Sequence, residues 1–410
     1  MKRWDFTTMM NAGSKLFASI HKRKRYAHAN HEAHLMARNI SDWLTQGVQS
    51  IINGTYTPRF LKRYYFKDEM IDQLHLSDRI LQNLLLQQLK PTFTHIMNPN
   101  CYHLHGPSGV KLATQHIRKV VSLEKPKYVI RADIKSYYKS ISHHLLIEDV
   151  KRYYLDYKVQ SMLEEIIKNP IETPRGYKNP DHGIALRGPL SQFFSALYLK
   201  PLDDAFDTMD VTYLRYQDDI IILCQTKRQL ERAKQRLMDI LHERRLRLSR
   251  KKTRIGSIDK GFHFLGINYL GPQPPDGTNV TQVSNDSAIH HAHCLNSMGG
   301  GENSSLEVEQ TDSAQQRIVP HARTLRNARE QVKQMVNDGF STRRIRSYLS
   351  RWCSWWVRSS QSWQYQELLG WFLHVCRDFK VVQIATTLLH ESNAPTLIDL
   401  QADLDFHATA

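Results

Sequence analysis

No stretch of about 18 apolar residues interrupts this chain, so nothing in it reads as a membrane span. The opening segment, Met1 to Ile20, lacks the unbroken apolar stretch of a secretory leader, because charged and polar residues are scattered through it. Cysteine is scarce. Cys101, Cys224, Cys294, Cys353 and Cys376 make five, and no two form a C-x-x-C pair. An odd, scattered set argues against a disulfide framework and for free thiols in a reducing, cytoplasmic setting. No internal repeat is visible, and strands and helices do not alternate with a βαβ period, so α+β is expected rather than a doubly wound sheet. Negative charge is in deficit: 40 Asp and Glu stand against 56 Lys and Arg, a net charge of +16. That imbalance favours a polyanionic partner, nucleic acid ahead of an acidic membrane surface.

The 410 residues exceed one ordinary core and imply several subdomains. Residues 1–55 read as a helical extension. It carries a basic cluster, His21-Lys22-Arg23-Lys24-Arg25, which suits either phosphates or a solvated helix face. Residues 56–76 suit a hairpin. Ser77 is the expected N-cap of a helix over Asp78–Leu89, with Pro91 as its stop. A helix follows at Lys111–Val121, then a buried strand at Tyr128–Ile134 and helices at His144–Tyr157 and Val159–Lys168. Residues 169–190 read as a Pro/Gly-rich loop and Ser191–Leu199 as an apolar helix. Val211–Cys224 suits two strands around a tight turn, Lys227–Arg244 an amphipathic helix, and Phe262–Tyr269 one last strand. Residues 271–317, rich in Pro, Gly, Ser, Asn and Asp, read as a flexible linker or insertion. Its tract His290-His291-Ala292-His293-Cys294 has no second ligand cluster, so a zinc site is not expected. Beyond it, residues 318–410 are helical, basic and rich in tryptophan. Arg344, Arg351 and Arg358 recur every seven residues and share a helix face beside Ile345, Leu349, Trp352 and Trp356.

The sharpest signal is Tyr216-Gln217-Asp218-Asp219, set between Val211-Thr212-Tyr213-Leu214 and Ile220-Ile221-Ile222-Leu223. Gln217-Asp218 suits a two-residue hairpin turn, which lifts adjacent carboxylates to the tip of an apolar ribbon. Adjacent carboxylates repel, and a divalent cation relieves the repulsion. A plain surface turn carries Asp-Asp equally well, so this motif alone does not choose. Asp133 adds a third carboxylate at the end of another apolar strand. Nucleotide polymerases hold two Mg²⁺ about 4 Å apart between carboxylates from separate strands, and Mg²⁺ demands oxygen ligands.

Several segments in order resemble the reverse transcriptases, especially their bacterial group II intron-like branch: Ala132-Asp133-Ile134-Lys135-Ser136-Tyr137-Tyr138, Gly183 to Gln192, Tyr216 to Asp219, Leu246 to Thr253, and Gly261 to Gly266. The resemblance implies a right-hand polymerase fold with fingers (56–127), a palm with a small antiparallel sheet (128–270) and a helical basic thumb (318–410). It implies RNA-directed DNA polymerase activity with two Mg²⁺ ions, Mn²⁺ substituting. Asp133, Asp218, Asp219 and the Ile134 carbonyl are the implied metal ligands, and Lys252 the group that neutralises or protonates pyrophosphate. Tyr138 falls where an aromatic ring blocks a ribose 2′-hydroxyl, although a core aromatic fits the same position. Gly188 and Gln192 would meet the nucleotide, and Ser191 would cap the next helix. This chain has Ala-Leu-Arg-Gly where the family usually has Pro-Gln-Gly-Gly, with Arg187 replacing a small or amide residue. Arg79, Tyr216, Phe264, Leu265, Gly266, Arg344, Arg351 and Arg358 are implied nucleic-acid contacts. Lys67, with Lys62 and Arg63, is the phosphate candidate in the fingers.

The expected partners are an RNA template, such as a dedicated non-coding RNA, a DNA or RNA primer and dNTPs. A protein partner or homo-oligomer is left open. No His-Asn-His-like or Cys-rich tail is present, which favours a stand-alone enzyme of anti-phage defence or retron-like kind. A maturase or mobility protein and a non-catalytic nucleic-acid-binding scaffold are the alternatives.

Overall fold

In a computed structural model of the protein, residues 5–65, 70–154, 156–186, 188–269, 318–359 and 375 are described. The helices in chain order are α1 (Phe6–Arg23), α2 (Glu32–Arg38), α3 (Ile40–Asn53), α4 (Leu76–Ile96), α5 (Gly109–Leu123), α6 (Tyr137–Ser140), α7 (His143–Tyr153), α8 (Tyr157–Ile167), α9 (Ser191–Tyr198), α10 (Lys200–Asp207), α11 (Lys227–Glu243), α12 (Ala322–Asn337) and α13 (Thr342–Ser359). The strands are β1 (Leu61–Tyr65), β2 (Met70–Gln73), β3 (Tyr128–Asp133), β4 (Ile171–Thr173), β5 (Gly176–Lys178), β6 (Thr212–Tyr216), β7 (Asp219–Cys224), β8 (Arg254–Ser257), β9 (Phe262–Phe264), β10 (Ile267–Tyr269) and β11 (Ile318–Pro320). This is a mixed α/β architecture with small sheets. It gathers into two compact units, residues 1–109 with 130–255, and residues 110–129 with 256 onward.

In the first unit, α1 starts where the Asp5 carboxylate accepts the Thr8 N–H at 2.7 Å. Met9, Gly13 and Phe17, four residues apart, form its buried stripe. They face α3, which buries Leu44, Val48 and Ile51. One sheet runs β2-β1-β4-β5, with β1 and β4 parallel and the other pairs antiparallel. Its covered side holds Leu61, Leu74 and Ile171, with Ala185 against them. A second sheet runs β6-β7-β3-β8. Every residue of β7 after Asp219 is buried, the pattern of a strand covered on both faces. Behind it α11 opens with a capping box between Thr226 and Gln229 and buries Leu230, Ala233, Leu237, Ile240 and Leu241.

In the second unit, β9, β10 and β11 form an antiparallel sheet. The Gly266 carbonyl accepts from His321 N at 2.9 Å and Thr324 Oγ at 3.2 Å, which ties the β9–β10 turn to the start of α12. Ala328, Val332 and Met335 are the buried side of α12, and Ile345 and Leu349 that of α13. Among the described residues, no helix is long and apolar enough to cross a membrane.

Four local expectations need correction. First, α4 begins at Leu76 with His75 before it, so Ser77 is no N-cap. Ser77 serves Asp78 instead, whose buried carboxylate accepts from Tyr56 Oη at 2.7 Å, Arg59 N at 3.3 Å and Ser77 Oγ at 3.5 Å. Pro91 lies inside the same helix, which continues to Ile96. The missing N–H removes one ladder bond, and burial of Phe93 against the Phe193 ring, 3.4 Å between centroids, holds the last turns in place. Second, residues 169–190 contain the β4–β5 hairpin, because β4 finds a parallel partner in β1. Third, Phe262–Tyr269 is two strands, folded at Leu265 and Gly266, both at positive φ. Fourth, Ser191 does not cap α9; its hydroxyl donates to the Ala185 carbonyl. Residues 271–317, including the His290–Cys294 tract, lie outside the described residues.

Gly109 allows the close approach that starts α5. A Cβ there would lie 2.2 Å from the Tyr102 carbonyl oxygen. Gly109→Ala is therefore expected to lower stability by about 1–3 kcal/mol, read as a lower midpoint in thermal unfolding. An unchanged midpoint would show that this backbone contact is not tight.

Candidate active site

The β6–β7 hairpin pairs Tyr216 with Asp219, leaving Gln217 and Asp218 as a two-residue loop, as the sequence indicated. Gln217 has φ 57°, the positive value that primed hairpin turns require. A fully buried side chain fixes this tip. Arg215 donates from Nε to Asp203 Oδ1 at 2.8 Å and from Nη2 to Asp203 Oδ2. Its Nη1 reaches the Gln217 carbonyl at 3.1 Å, and its Nη2 the Ala196 carbonyl at 3.3 Å. Tyr213 Oη adds a bond to Asp203 Oδ1 at 2.6 Å.

Asp133 ends β3 and is buried, 6% exposed. The chain then holds to the segment before β8: Ser249 N donates to the Asp133 carbonyl at 2.8 Å, and Lys135 N to the Arg247 carbonyl at 2.8 Å. Ile134, also buried, forms a bridge with Leu248. These bonds place Lys252 Nζ 3.0 Å from Asp133 Oδ2. Arg131 donates to the Lys252 carbonyl at 3.2 Å and stands 3.7 Å from Asp219 Oδ1.

The three carboxylates act on one another. Burial pushes the Asp219 pKa up to about 6, with Asp218 and Asp133 adding repulsion and Arg131 and Lys252 opposing it. Burial also raises Asp218, Asp133 adding to it and Lys252 opposing it. Asp219 Oδ1 is buried and accepts no hydrogen bond among the described residues. Among those residues, no three His, Cys, Asp or Glu side chains stand close enough together to hold a metal ion. The nearby charges are Lys252 and Arg131 instead. The donor set still suits a hard divalent cation: it consists of carboxylate oxygens, mutually repelling, with one buried oxygen unsatisfied.

Tyr138 is half-buried, with its hydroxyl 3.4 Å from Ser195 Oγ, and its pKa is raised by burial first, with the Asp218 charge contributing. It therefore lies within reach of the Asp218 charge. Its neighbour Tyr137 is the core aromatic, with its hydroxyl donating to the Ser195 carbonyl at 2.5 Å. Gly188 is packed closely: a Cβ there would meet Ser191 Oγ at 2.8 Å and Leu74 Cδ1 at 3.1 Å. Gln192 and Arg79 are exposed on α9 and α4, and Tyr216 is half-buried. Lys67 and Arg187 lie outside the described residues, and Arg63 is engaged with Asp72 at 2.7 Å. Phe264, Leu265, Gly266, Arg344, Arg351 and Arg358 belong to the second unit. There Phe264 is fully buried and Leu265 and Gly266 are half-buried, while Arg344 and Arg351 are exposed on α13.

Sequence reasoning missed His103. Its Nδ1 accepts the Gln217 N–H at 3.1 Å, and its Nε2 is 3.1 Å from the Gln192 carbonyl. One neutral tautomer satisfies both: acceptor at Nδ1, donor at Nε2. Burial, helped by Arg215, lowers its pKa to about 3. The imidazole thus joins the β6–β7 hairpin to the 183–192 segment. Arg215 and Asp203 were missed too, although an arginine inside an apolar strand demands a buried carboxylate; the preceding helix offers Asp203, Asp204 and Asp207, and the fold uses Asp203.

A family model described as reverse transcriptase (RNA-dependent DNA polymerase) matches residues 69–269. The chain is 23% identical over 263 residues to Protein YkfC of Escherichia coli (strain K12), covering 53% of this chain and 68% of that protein. Two solved structures of apo telomerase from Candida Tropicalis are also similar. The one truncated from the C-terminal domain has a TM-score of 0.40 and 14% identity, over 58% of this chain and 59% of that one. The other has a TM-score of 0.41 and 13% identity, over 58% and 52%. The matched part thus spans less than two thirds of either telomerase chain. The chain contains a reverse-transcriptase-like domain.

His103 yields a pH prediction. Its pKa is depressed from 6.5 to about 3 in the fold, so the unfolded chain binds the extra proton between those values. Its contribution is complete above pH 6.5 and is lost as pH falls toward 3. In urea unfolding across that window, His103→Gln is expected to lose stability less steeply than wild type, by up to about 1.4 kcal/mol per pH unit. Identical slopes would contradict a buried neutral imidazole.

Proposed function

We propose that the chain is an RNA-directed DNA polymerase, built as fingers, palm and helical thumb, that extends an RNA or DNA primer with dNTPs along an RNA template. The observation that carries this reading is that carboxylates from distant segments share one set of countercharges: Lys252 stands 3.0 Å from Asp133, and Arg131, bonded to the Lys252 carbonyl, stands 3.7 Å from Asp219 of the hairpin. Two Mg²⁺ or Mn²⁺ ions held by these carboxylates and the Ile134 carbonyl would supply activation of the primer 3′-hydroxyl and charge stabilisation of the departing pyrophosphate. Lys252, beside Asp133, is placed to neutralise that pyrophosphate. Tyr138, half-buried beside Ser195, excludes a ribose 2′-hydroxyl. Gly188, Gln192, Tyr216 and Arg79 line the nucleotide and template side, with the Leu265–Gly266 backbone and the α13 arginines as further nucleic-acid contacts. The favoured setting is a cytoplasmic enzyme with a dedicated structured RNA, serving anti-phage defence.

Primer extension on an RNA template with Mg²⁺ tests the assignment. Asp133→Asn and Asp218→Asn are each expected to lower extension by about 10²–10³-fold, with binding of primer–template retained. Wild-type rates in either variant would remove these carboxylates from the chemistry, and no extension by wild type would favour the scaffold reading. In the same assay, Tyr138→Ala is expected to reduce discrimination against ribonucleotides by about 10–200-fold. Unchanged discrimination would return Tyr138 to a packing role.

A further inference from the structure

The sheet β2-β1-β4-β5 has one covered side and one open side, and the open side is aromatic. Leu61 and Ile171 turn toward the covered side with Leu74 and Ala185. Strand alternation turns Lys62 and Tyr64 the other way, and both are exposed. Cross-strand pairing extends that side: Lys62 lies between Gln73 and Glu172, and Glu172 pairs with Tyr177. Phe60, just ahead of β1, meets Tyr177 edge to face, 4.7 Å between centroids. These rings are far from buried, Phe60 at 42%, Tyr64 at 46% and Tyr177 at 68% exposed. Arg59 and Arg175 are exposed on the flanks of these strands, against the single acid Glu172 on this side, while the exposed Lys178 pairs with Ile171 and so lies on the other side.

We propose that this open face is a stacking platform for the unpaired bases of a single-stranded nucleic acid, with Lys62 and the flanking cations set against its phosphates. Flat rings alternating with cations match a strand in which bases alternate with phosphates. Along β1, Phe60, Lys62 and Tyr64 follow at steps of ~6.6 Å, so ring, charge and ring stand in a row. Every base offers a π-face, and such platforms tolerate any sequence. A duplex keeps its base faces stacked inside and offers the rings nothing. A protein surface would leave the exposed cations without partners, whereas the excess positive charge of the chain, +16, complements a polyanion. The ligand class rests on the polymerase reading, in which an unpaired template strand is always present.

The test measures binding of labelled oligo-uridylate and of a blunt duplex of equal length to the full chain by fluorescence anisotropy. Phe60→Ser/Tyr64→Ser/Tyr177→Ser is expected to weaken single-strand binding by about tenfold or more, with duplex binding changed less than about twofold. Tyr64→Trp, which keeps a ring, should bind as wild type does. Lys62→Ala should flatten the salt dependence by about 0.7 in logarithmic slope. If the triple variant melts early, Tyr64→Ser and Tyr177→Ser are read singly, each expected to lose about fivefold. Unchanged single-strand affinity in folded variants, or equal loss on both ligands, overturns the proposal. So does a change in oligomeric state on ring removal, which would mark the face as a contact between copies. Ring-dependent binding without extension by wild type would leave the platform standing and remove the polymerase reading; extension with ring-independent binding would do the reverse.

Discussion

The buried guanidinium of Arg215 sets where the carboxylates stand. It is sealed from solvent and bonded to Asp203 on one side and to the Gln217 and Ala196 carbonyls on the others. Burial pulls its pKa down, yet Asp203 overrides that pull and the net shift is well upward, so it remains a cation. A buried ion pair adds little net stability, but removing one partner costs about 3–5 kcal/mol because the other charge is stranded. The pair is therefore a positional device. It fastens the hairpin tip to α9 and α10, so the turn cannot shift without breaking several bonds at once. His103 repeats the logic on the opposite flank with a neutral ring.

Held in place this way, the carboxylates cannot separate to relieve their repulsion. The protein supplies two countercharges of different character. Arg131 lies largely out of solvent, its side chain 12% exposed, and its guanidinium is 3.7 Å from Asp219. Lys252 is 62% exposed and meets Asp133 from the solvent side. A contact with so exposed a lysine is weak and readily exchanged. Asp133 is thus held only by an exchangeable contact, and among the described residues Asp219 keeps a buried oxygen without a hydrogen bond. The site is short of positive charge by construction, and Lys252 closes it only from the solvent edge.

The carboxylates of the candidate site were legible in the sequence because they sit in short words. Asp218 and Asp219 between apolar runs, and Asp133 at a strand end, announce themselves by being acids where strands should be greasy. The amphipathic period of α11 and the tight turn at Gln217 were equally readable. What was not readable depends on distant partners. The three-residue strands β4 and β5 are too short to show alternation and exist because β1 is beside them. The helix start at Leu76 is met by Glu32, 44 residues away, whose carboxylate accepts the Leu76 N–H at 2.9 Å, while Asp78 is taken up by Tyr56 and Arg59. His103 gives no local sign of its role, since its two partners lie at Gln192 and Gln217.

The motifs are words rather than single residues because each outward group is held by an inward neighbour. Tyr138 meets the site, while Tyr137 is locked by its hydroxyl to the Ser195 carbonyl. Asp133 carries charge, while Ile134 pins the backbone to Leu248. Arg79 faces solvent, while Asp78 gathers Tyr56 and Arg59. Asp218 stands at the tip, while Arg215, three residues earlier, anchors it. Backbone geometry makes this pairing nearly automatic: consecutive side chains in a strand point to opposite faces, and neighbours on a helix diverge. An active group placed on a packed element therefore comes with an adjacent residue in the core, where rotamers are fixed by packing. Precision at the reacting atoms is then inherited from the core and requires no extra contacts within the site. The same geometry explains the open sheet face: the residues that turn Leu61 inward are the ones that turn Lys62 and Tyr64 out.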